Sequence, residues 1–321
     1  MLLISLIRDL RETNHYMIMK LQEVYKLWIA EKAKTLRPVS LSTYMLVAEK
    51  QILPVLGKKE IITPEDVRAM QEAARANGLG EKSVYDCVNM LRGMLTFAAR
   101  RGLGPMPSWS ASKQDVTKQE EINPLSVEEQ KKVIQYIAEN RTPKGIGLYL
   151  ALTTGITVGE LCSLTWQDID IKAKVLHVRG IVSRYYAVDI DTNERSWAYS
   201  QESSTSGRII PLSSDQIGFL KDEVTDHLPE LFVTSNSAVP TDARVLRAYL
   251  KGVFKILSIK GHQFKDLRHG FAVRCLESGC DIVTLAALLG TNSLKHIMDT
   301  YSPYVHSTPR RSMEAMMKML G

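Results

Sequence analysis

The chain is 321 residues long, 45% hydrophobic and 24% charged, with a formal net charge of +6. That length accommodates one or two domains with cores of their own. The composition excludes a disordered or fibrous chain, and no apolar run reaches the ~20 residues of a membrane span.

The charge is unevenly spread. Residues 17–110 hold 14 Lys and Arg against 9 Asp and Glu, residues 1–16 balance, and residues 111–321 hold 25 against 24. A basic N-terminal third joined to a near-neutral remainder fits contact with nucleic-acid phosphates. Cys87, Cys162, Cys275 and Cys280 have no metal-ligand spacing and read as reduced core thiols of a cytoplasmic protein. The opening Leu2–Ile7 run is short and meets Arg8, so no signal peptide is expected, and Met17 or Met19 offers an alternative start.

In chain order, Leu21, Val24, Tyr25 and Trp28 recur at the spacing of one helical face and predict a core-facing helix. Ser40 or Ser42 is a candidate cap for a second helix through Tyr44, Val47 and Ile52, which Pro54 should stop and Gly57 should turn. Thr63-Pro-Glu-Asp predicts a strong helix start, and Gly78-Leu-Gly its end. A last helix is expected from Ser83 to Arg101, with Val84, Val88, Leu91 and Leu95 inward. These elements make a helical domain over 17–106, followed by a polar, Gly- and Pro-containing linker over 107–123.

A second domain is expected over 124–321. Ser126-Val-Glu-Glu has capping-box spacing, and the segment from Gly145 to Thr153 is apolar nearly all round, so it should be buried. Val175-Leu-His-Val and Arg208-Ile-Ile-Pro read as strands flanking an irregular polar insertion. From Arg244 the pattern is helical again. The fold class expected is mainly α with a small β-sheet.

The stretch from Phe264 to Tyr301 contains Asp266-Leu-Arg-His269, then Leu288-Leu-Gly290, then Asp299-Thr-Tyr301. It resembles the C-terminal signature of the tyrosine recombinases, the phage integrase family. The resemblance implies a helical core-binding domain before a catalytic domain, double-stranded DNA as partner, and site-specific recombination or integration of a mobile element. It also implies a chemistry in which a tyrosine hydroxyl attacks a DNA phosphate. The bond energy stays in a 3′-phosphotyrosine, so no cofactor and no metal are expected.

By the same resemblance, Tyr301 aligns with the nucleophile and Arg268 with the second phosphate-binding arginine. Lys265 occupies the place of a histidine or lysine that contacts phosphate. His269 and Glu160 align with supporting positions. Three positions depart from the pattern. Thr154-Gly-Ile-Thr-Val-Gly-Glu-Leu161 resembles the box that carries the first arginine, and Thr157 stands where that arginine would be. A hydroxyl offers one donor where a guanidinium offers a fork. Counting back from Arg208-Ile-Ile-Pro-Leu212 places Glu202, or next Ser203, where the family has a hairpin lysine. Thr291 replaces the histidine of Leu-Gly-His.

The first expectation is therefore a DNA-binding family member whose strand cleavage is impaired. An active recombinase in which Lys265, His262 or a neighbouring subunit supplies the charge is the second, and a helical protein-interaction module the third. The Met-rich segment from Ser307 to Gly321, opened by Pro309-Arg-Arg, resembles the family's terminal helix, which docks on another protomer or a partner recombinase.

Overall fold

The computed structural model describes residues 18–109, 122–188, 195–304, 313 and 316–318. It forms two compact units, one of residues 1–118 with 185–198, the other of residues 119–184 with 199–321. The first unit thus takes in the middle of a hairpin that the sequence reading gave to the second domain. Among the described residues no helix is long and apolar enough to cross a membrane.

The first unit is helical. Helix α1 (Leu21–Ala33) buries Leu21, Val24, Tyr25 and Trp28, the face its spacing predicted. Helix α2 (Pro38–Val47) starts earlier than expected, with Arg37 as cap and proline in its first turn, so Ser40 and Ser42 lie inside it. Pro54 does not end that helix. A π-turn (Ala48–Ile52) leads directly into α3 (Leu53–Leu56), which contains Pro54. A widened turn is a common place for a residue that cannot donate its own N–H.

Helix α4 (Pro64–Ala76) is capped by Thr63, whose side chain accepts from the Asp66 N–H. Gly78, at φ +83°, lets the chain leave that helix. Helix α5 (Glu81–Arg100) buries Val84, Cys87, Val88, Leu91 and Met94, while Leu95 is only half-buried. Residues 110–121 of the expected linker, and the candidate start Met17, lie outside the described residues.

The second unit begins with α6 (Val127–Glu139), capped reciprocally by Ser126 and Glu129 as expected. Helix α7 (Pro143–Thr154) is buried along most of its length and ends on Gly155, at φ +68°. The short α8 (Val158–Ser163) follows, with Thr157 as its cap. A three-stranded sheet has the order β1-β2-β3, built from β1 (Ile169–Asp170), β2 (Val175–Val188) and β3 (Arg195–Pro211). The first pair is antiparallel, with Ile169 opposite Leu176.

The expected irregular insertion is therefore mostly a long ribbon. Buried alternation is confined to its base, at Leu176, Val178 and Val182, whereas Trp197, Tyr199 and Ile209 are about half exposed. Helix α9 (Ser214–Asp226), capped by Ser213 and Gln216, was not foreseen. Helices α10 (Ala243–Ile256), α11 (Phe264–Glu277), α12 (Ile282–Leu289) and α13 (Leu294–Tyr301) complete the unit.

Cys87 and Cys162 are buried and Cys275 half-buried, as core thiols should be, but half-buried Cys280 sits in the turn after α11 rather than in a helix. Of the Met-rich tail, residues 313 and 316–318 are helical with Met313, Met316 and Met317 exposed, and the rest lies outside the described residues.

Candidate functional site

Helices α7 and α12 both end on glycines in the left-handed region, Gly155 and Gly290, each at φ +68°. Such ends leave helix carbonyls without intrahelical partners, and their negative dipole end favours a cation. Arg268, on α11, meets both ends. Its Nη1 donates to Gly155 O and its Nη2 to Leu289 O, each at 2.7 Å. The guanidinium is thereby aimed and held, with two of its five donors committed to these carbonyls. Burial lowers its pKa, offset by the Glu160 charge, yet an arginine stays charged.

His269 follows Arg268 on the same helix and reaches Tyr301. Its Nδ1 lies 2.8 Å from the Tyr301 hydroxyl. Tyr301 closes α13 and is only 3% exposed, packed with Leu276, Leu285, Leu289 and Ile297. Burial pushes its pKa up to about 12, although the Arg268 charge pulls the other way. Burial also pulls the His269 pKa down, with Lys265, Arg268 and His296 adding to the effect against Asp266. A neutral imidazole protonated at Nε2 can take the phenolic proton at Nδ1. The sequence reading took His269 as mainly structural support, and motif alone gave no sign of its contact with the phenol.

Thr157 is engaged elsewhere. Its N–H and hydroxyl both donate to Glu160 Oε2, at 2.7 and 3.0 Å, and the hydroxyl accepts from the Glu160 N–H at 3.3 Å. It is a helix cap. Glu160 also binds Arg208, which donates from Nη1 to Oε1 at 2.6 Å and from Nη2 to Oε2 at 3.3 Å. The Arg208 Nε–H donates to Leu288 O at 2.6 Å, so the α12 terminus braces two arginines. Burial works against the Glu160 carboxylate, but Arg208 and Thr157 outweigh it and hold its pKa below the usual range. In the sequence Arg208 served only as an anchor for counting; its position on a strand before Ile-Ile-Pro was the available signal.

A cleft of about 640 Å³ opens beside this centre, lined by Thr157, Arg247, Lys251, His262, Lys265 and Arg268 together with apolar side chains, and by no carboxylate. Lys265 and Arg268 are thus brought together with Thr157. Arg247 and Lys251, both exposed, come from α10 and were not singled out by sequence. Glu202 and Thr291 do not line the cleft. Glu202, on β3, accepts from Ser200 Oγ at 2.5 Å. The Thr291 N–H donates to Ala286 O at 3.0 Å, and its hydroxyl accepts from the Ser293 N–H at 3.3 Å.

The first unit carries its own cation-rich concavities. One of about 720 Å³ includes Trp28, Lys32, Tyr44, Lys50 and Asn89. Another of about 670 Å³ shares Trp28, Lys32 and Asn89 and adds Arg92, Arg100 and Arg101. The Trp28 and Tyr44 rings stack at 5.6 Å, and Lys32 Nζ lies 5.7 Å from the Trp28 ring. Trp28 is itself buried, and the linings also include Asp86 and Glu31, so the aromatic pair is core and the surplus charge lies with the lysines and arginines at the rim.

Residues 123–311 match the profile of the phage integrase family, and residues 20–73 that of the phage integrase N-terminal SAM-like domain. A tyrosine recombinase XerC-like protein of Caldanaerobacter subterraneus is 27% identical over 214 residues, 61% of this chain and 53% of that protein. Tyrosine recombinase XerC of Bacillus pumilus is 27% identical over 248 residues, 73% of this chain and 75% of its own. The chain thus spans only about half the length of the first of these relatives.

Among solved structures, the Tn1549 transposon integrase in complex with a circular intermediate DNA has a TM-score of 0.70 at 16% identity, covering 94% of this chain and 99% of that one. A lambda integrase dimer bound to a COC′ core site has a TM-score of 0.65 at 19% identity, covering 90% and 78%. At such identities the likeness is one of fold.

Proposed function

This chain belongs to the phage integrase family of tyrosine recombinases, and we propose that it binds duplex DNA and acts in site-specific recombination with Tyr301 as nucleophile. The observation that carries this reading is the Tyr301 hydroxyl on His269 Nδ1, one residue from a guanidinium braced by two helix ends. In the proposed step the Tyr301 oxygen forms a bond to phosphorus and its proton passes to His269. The bond to the 5′ oxygen breaks, and that oxygen takes a proton from a general acid or from solvent. Arg268 holds non-bridging oxygens as their charge grows.

Cleavage in this reading is slower than at a site with the family's full set of cations. Thr157 offers no free hydroxyl proton, Glu202 stands where a lysine donor is expected, and loss of one charged donor costs about 10²–10³ in rate. Tyr301 as described is buried, so attack on DNA also requires its helix to release it. The solved relatives include an integrase dimer on DNA. By analogy, this chain assembles on DNA through its C-terminal segment, with itself or with a partner recombinase.

The test is incubation of the full chain with nicked duplexes drawn from the ends of its host element. The account expects a covalent protein–DNA adduct that Tyr301→Phe abolishes. Steeply salt-dependent binding with no adduct would leave a DNA-binding protein without chemistry. Salt-independent or absent binding would favour a protein-interaction module.

A further inference from the structure

We infer that Arg247, assisted by Lys251 one turn further along α10, supplies the scissile phosphate with the positive charge that residue 157 does not provide. This deepens the proposed function and rests on reading the cleft as the seat of that phosphate. Helix α10 packs against α8, the short helix that Thr157 caps. Arg247 and Lys251 are four apart, so they share a face, and both line the cleft together with Thr157 and Arg268. Burial and the Asp242 charge push the Cys162 thiol on α8 up to about 12, with the Arg247 charge opposing them.

Charge completes the case. Arg247, Lys251, His262, Lys265 and Arg268 gather around one opening with no carboxylate in its lining. His262 sits 3.6 Å from Glu129 and 4.0 Å from Asp266, both outside that lining, so it adds no unbalanced charge to the opening. Among the described residues no carboxylate pairs with Arg247 or Lys251, although exposed arginines elsewhere do pair, as Arg75 does with Glu81 at 2.7 Å. Arg247 and Lys251 therefore repel each other and the neighbouring cations, and an anion in their midst relieves that repulsion. A solvated helix face would instead intersperse both signs.

The residue type matters as well. A guanidinium places two parallel donors on phosphate oxygens, which the Thr157 hydroxyl, already donated to Glu160, does not do. A charge removed from the α8 cap is returned from the neighbouring helix.

The experiment measures the rise in melting temperature of the full chain when sodium phosphate replaces sodium chloride at constant ionic strength, since a ligand of the folded state stabilises it. The inference expects a phosphate-dependent rise in the unaltered chain. Arg247→Ala weakens the derived phosphate affinity by at least about tenfold, Arg247→Lys by less, and Lys172→Ala, distant on the β1–β2 turn, not at all. No rise in the unaltered chain, or equal affinity in Arg247→Ala, overturns the inference. A second arm follows adduct formation on nicked DNA. Phosphate affinity that depends on Arg247 without any adduct would sink the cleavage reading while upholding the seat. Adduct formation indifferent to Arg247→Ala would do the reverse.

Discussion

Arg208 and Glu160 form a buried ion pair at 2.6 Å, with the Arg208 side chain 7% and the Glu160 side chain 4% exposed. The pair ties the last strand to α8 and, through Leu288 O, to the end of α12. Removing one partner leaves the other charge in a buried surround, so Arg208→Met or Glu160→Met should cost about 3–5 kcal/mol of unfolding free energy. A double change to methionine should cost much less than the sum of the two single changes. Urea unfolding of the four proteins checks this; additive losses would mean that the pair is not coupled.

His269 gives the protein a signature in mild acid. Its folded pKa lies below the unfolded value near 6.5, so the unfolded chain takes up the proton more readily. The stability contributed by the neutral ring is present above about pH 6.5 and is lost as the pH falls through the folded pKa. The unaltered chain should therefore lose up to about 1.4 kcal/mol per pH unit in that window, and His269→Gln should flatten the slope. Glu160 and the other carboxylates with lowered pKa act at lower pH. Adduct formation should fall over the same range as His269, once protonated, ceases to accept the phenolic proton. A slope that survives His269→Gln would assign it to another group.

Gly155 is required twice, for its left-handed φ and for space. A Cβ there would lie 2.4 Å from Phe271 Cδ1. Gly155→Ala should destabilise by about 2–4 kcal/mol through backbone strain and crowding. It should also shift the carbonyl that aims Arg268, lowering DNA affinity even well below its melting temperature. Thermal melts with parallel binding assays separate the two effects. Unchanged affinity in the folded variant would show that Arg268 does not depend on this brace.

Thr157→Arg should slightly destabilise α8, by about 1 kcal/mol for the lost cap. It should nevertheless raise adduct formation by at least about tenfold in an Arg247→Ala background, where the cleft lacks that charge, and by less in the unaltered chain. Adding Glu202→Lys should raise it further if the hairpin position is correctly counted. Rates on a nicked substrate decide this. No gain from the double change would mean that the two boxes are misplaced in the alignment.

Much of the fold was legible where local physics decides it. The Leu21–Trp28 face, the Thr63 and Ser126 caps and the Gly78 turn follow from periodicity and side-chain hydrogen bonding, and they stand in the structure as expected. Pro54 did not break its helix because a π-turn absorbs it, a register change that no single residue announces. The hairpin was hidden because most of its length is half exposed, so little apolar alternation marks it. At the proposed site, Tyr301, Arg268, Lys265 and Thr157 were singled out by motif, but their proximity came only with the fold. Arg208 and Arg247 lie 51 and 90 residues after Thr157. An arginine on an amphipathic helix looks like any solvated charge until the opposing helix is known.

The most direct measurement is mass spectrometry of the protein recovered from nicked duplex DNA, digested with nuclease and trypsin. The account predicts a single modified peptide carrying a 3′-phosphonucleotide on Tyr301, absent from the Tyr301→Phe protein and reduced by about 10²-fold or more in Arg268→Ala. A nucleotide attached to any other residue, or an adduct that persists in Tyr301→Phe, would contradict it.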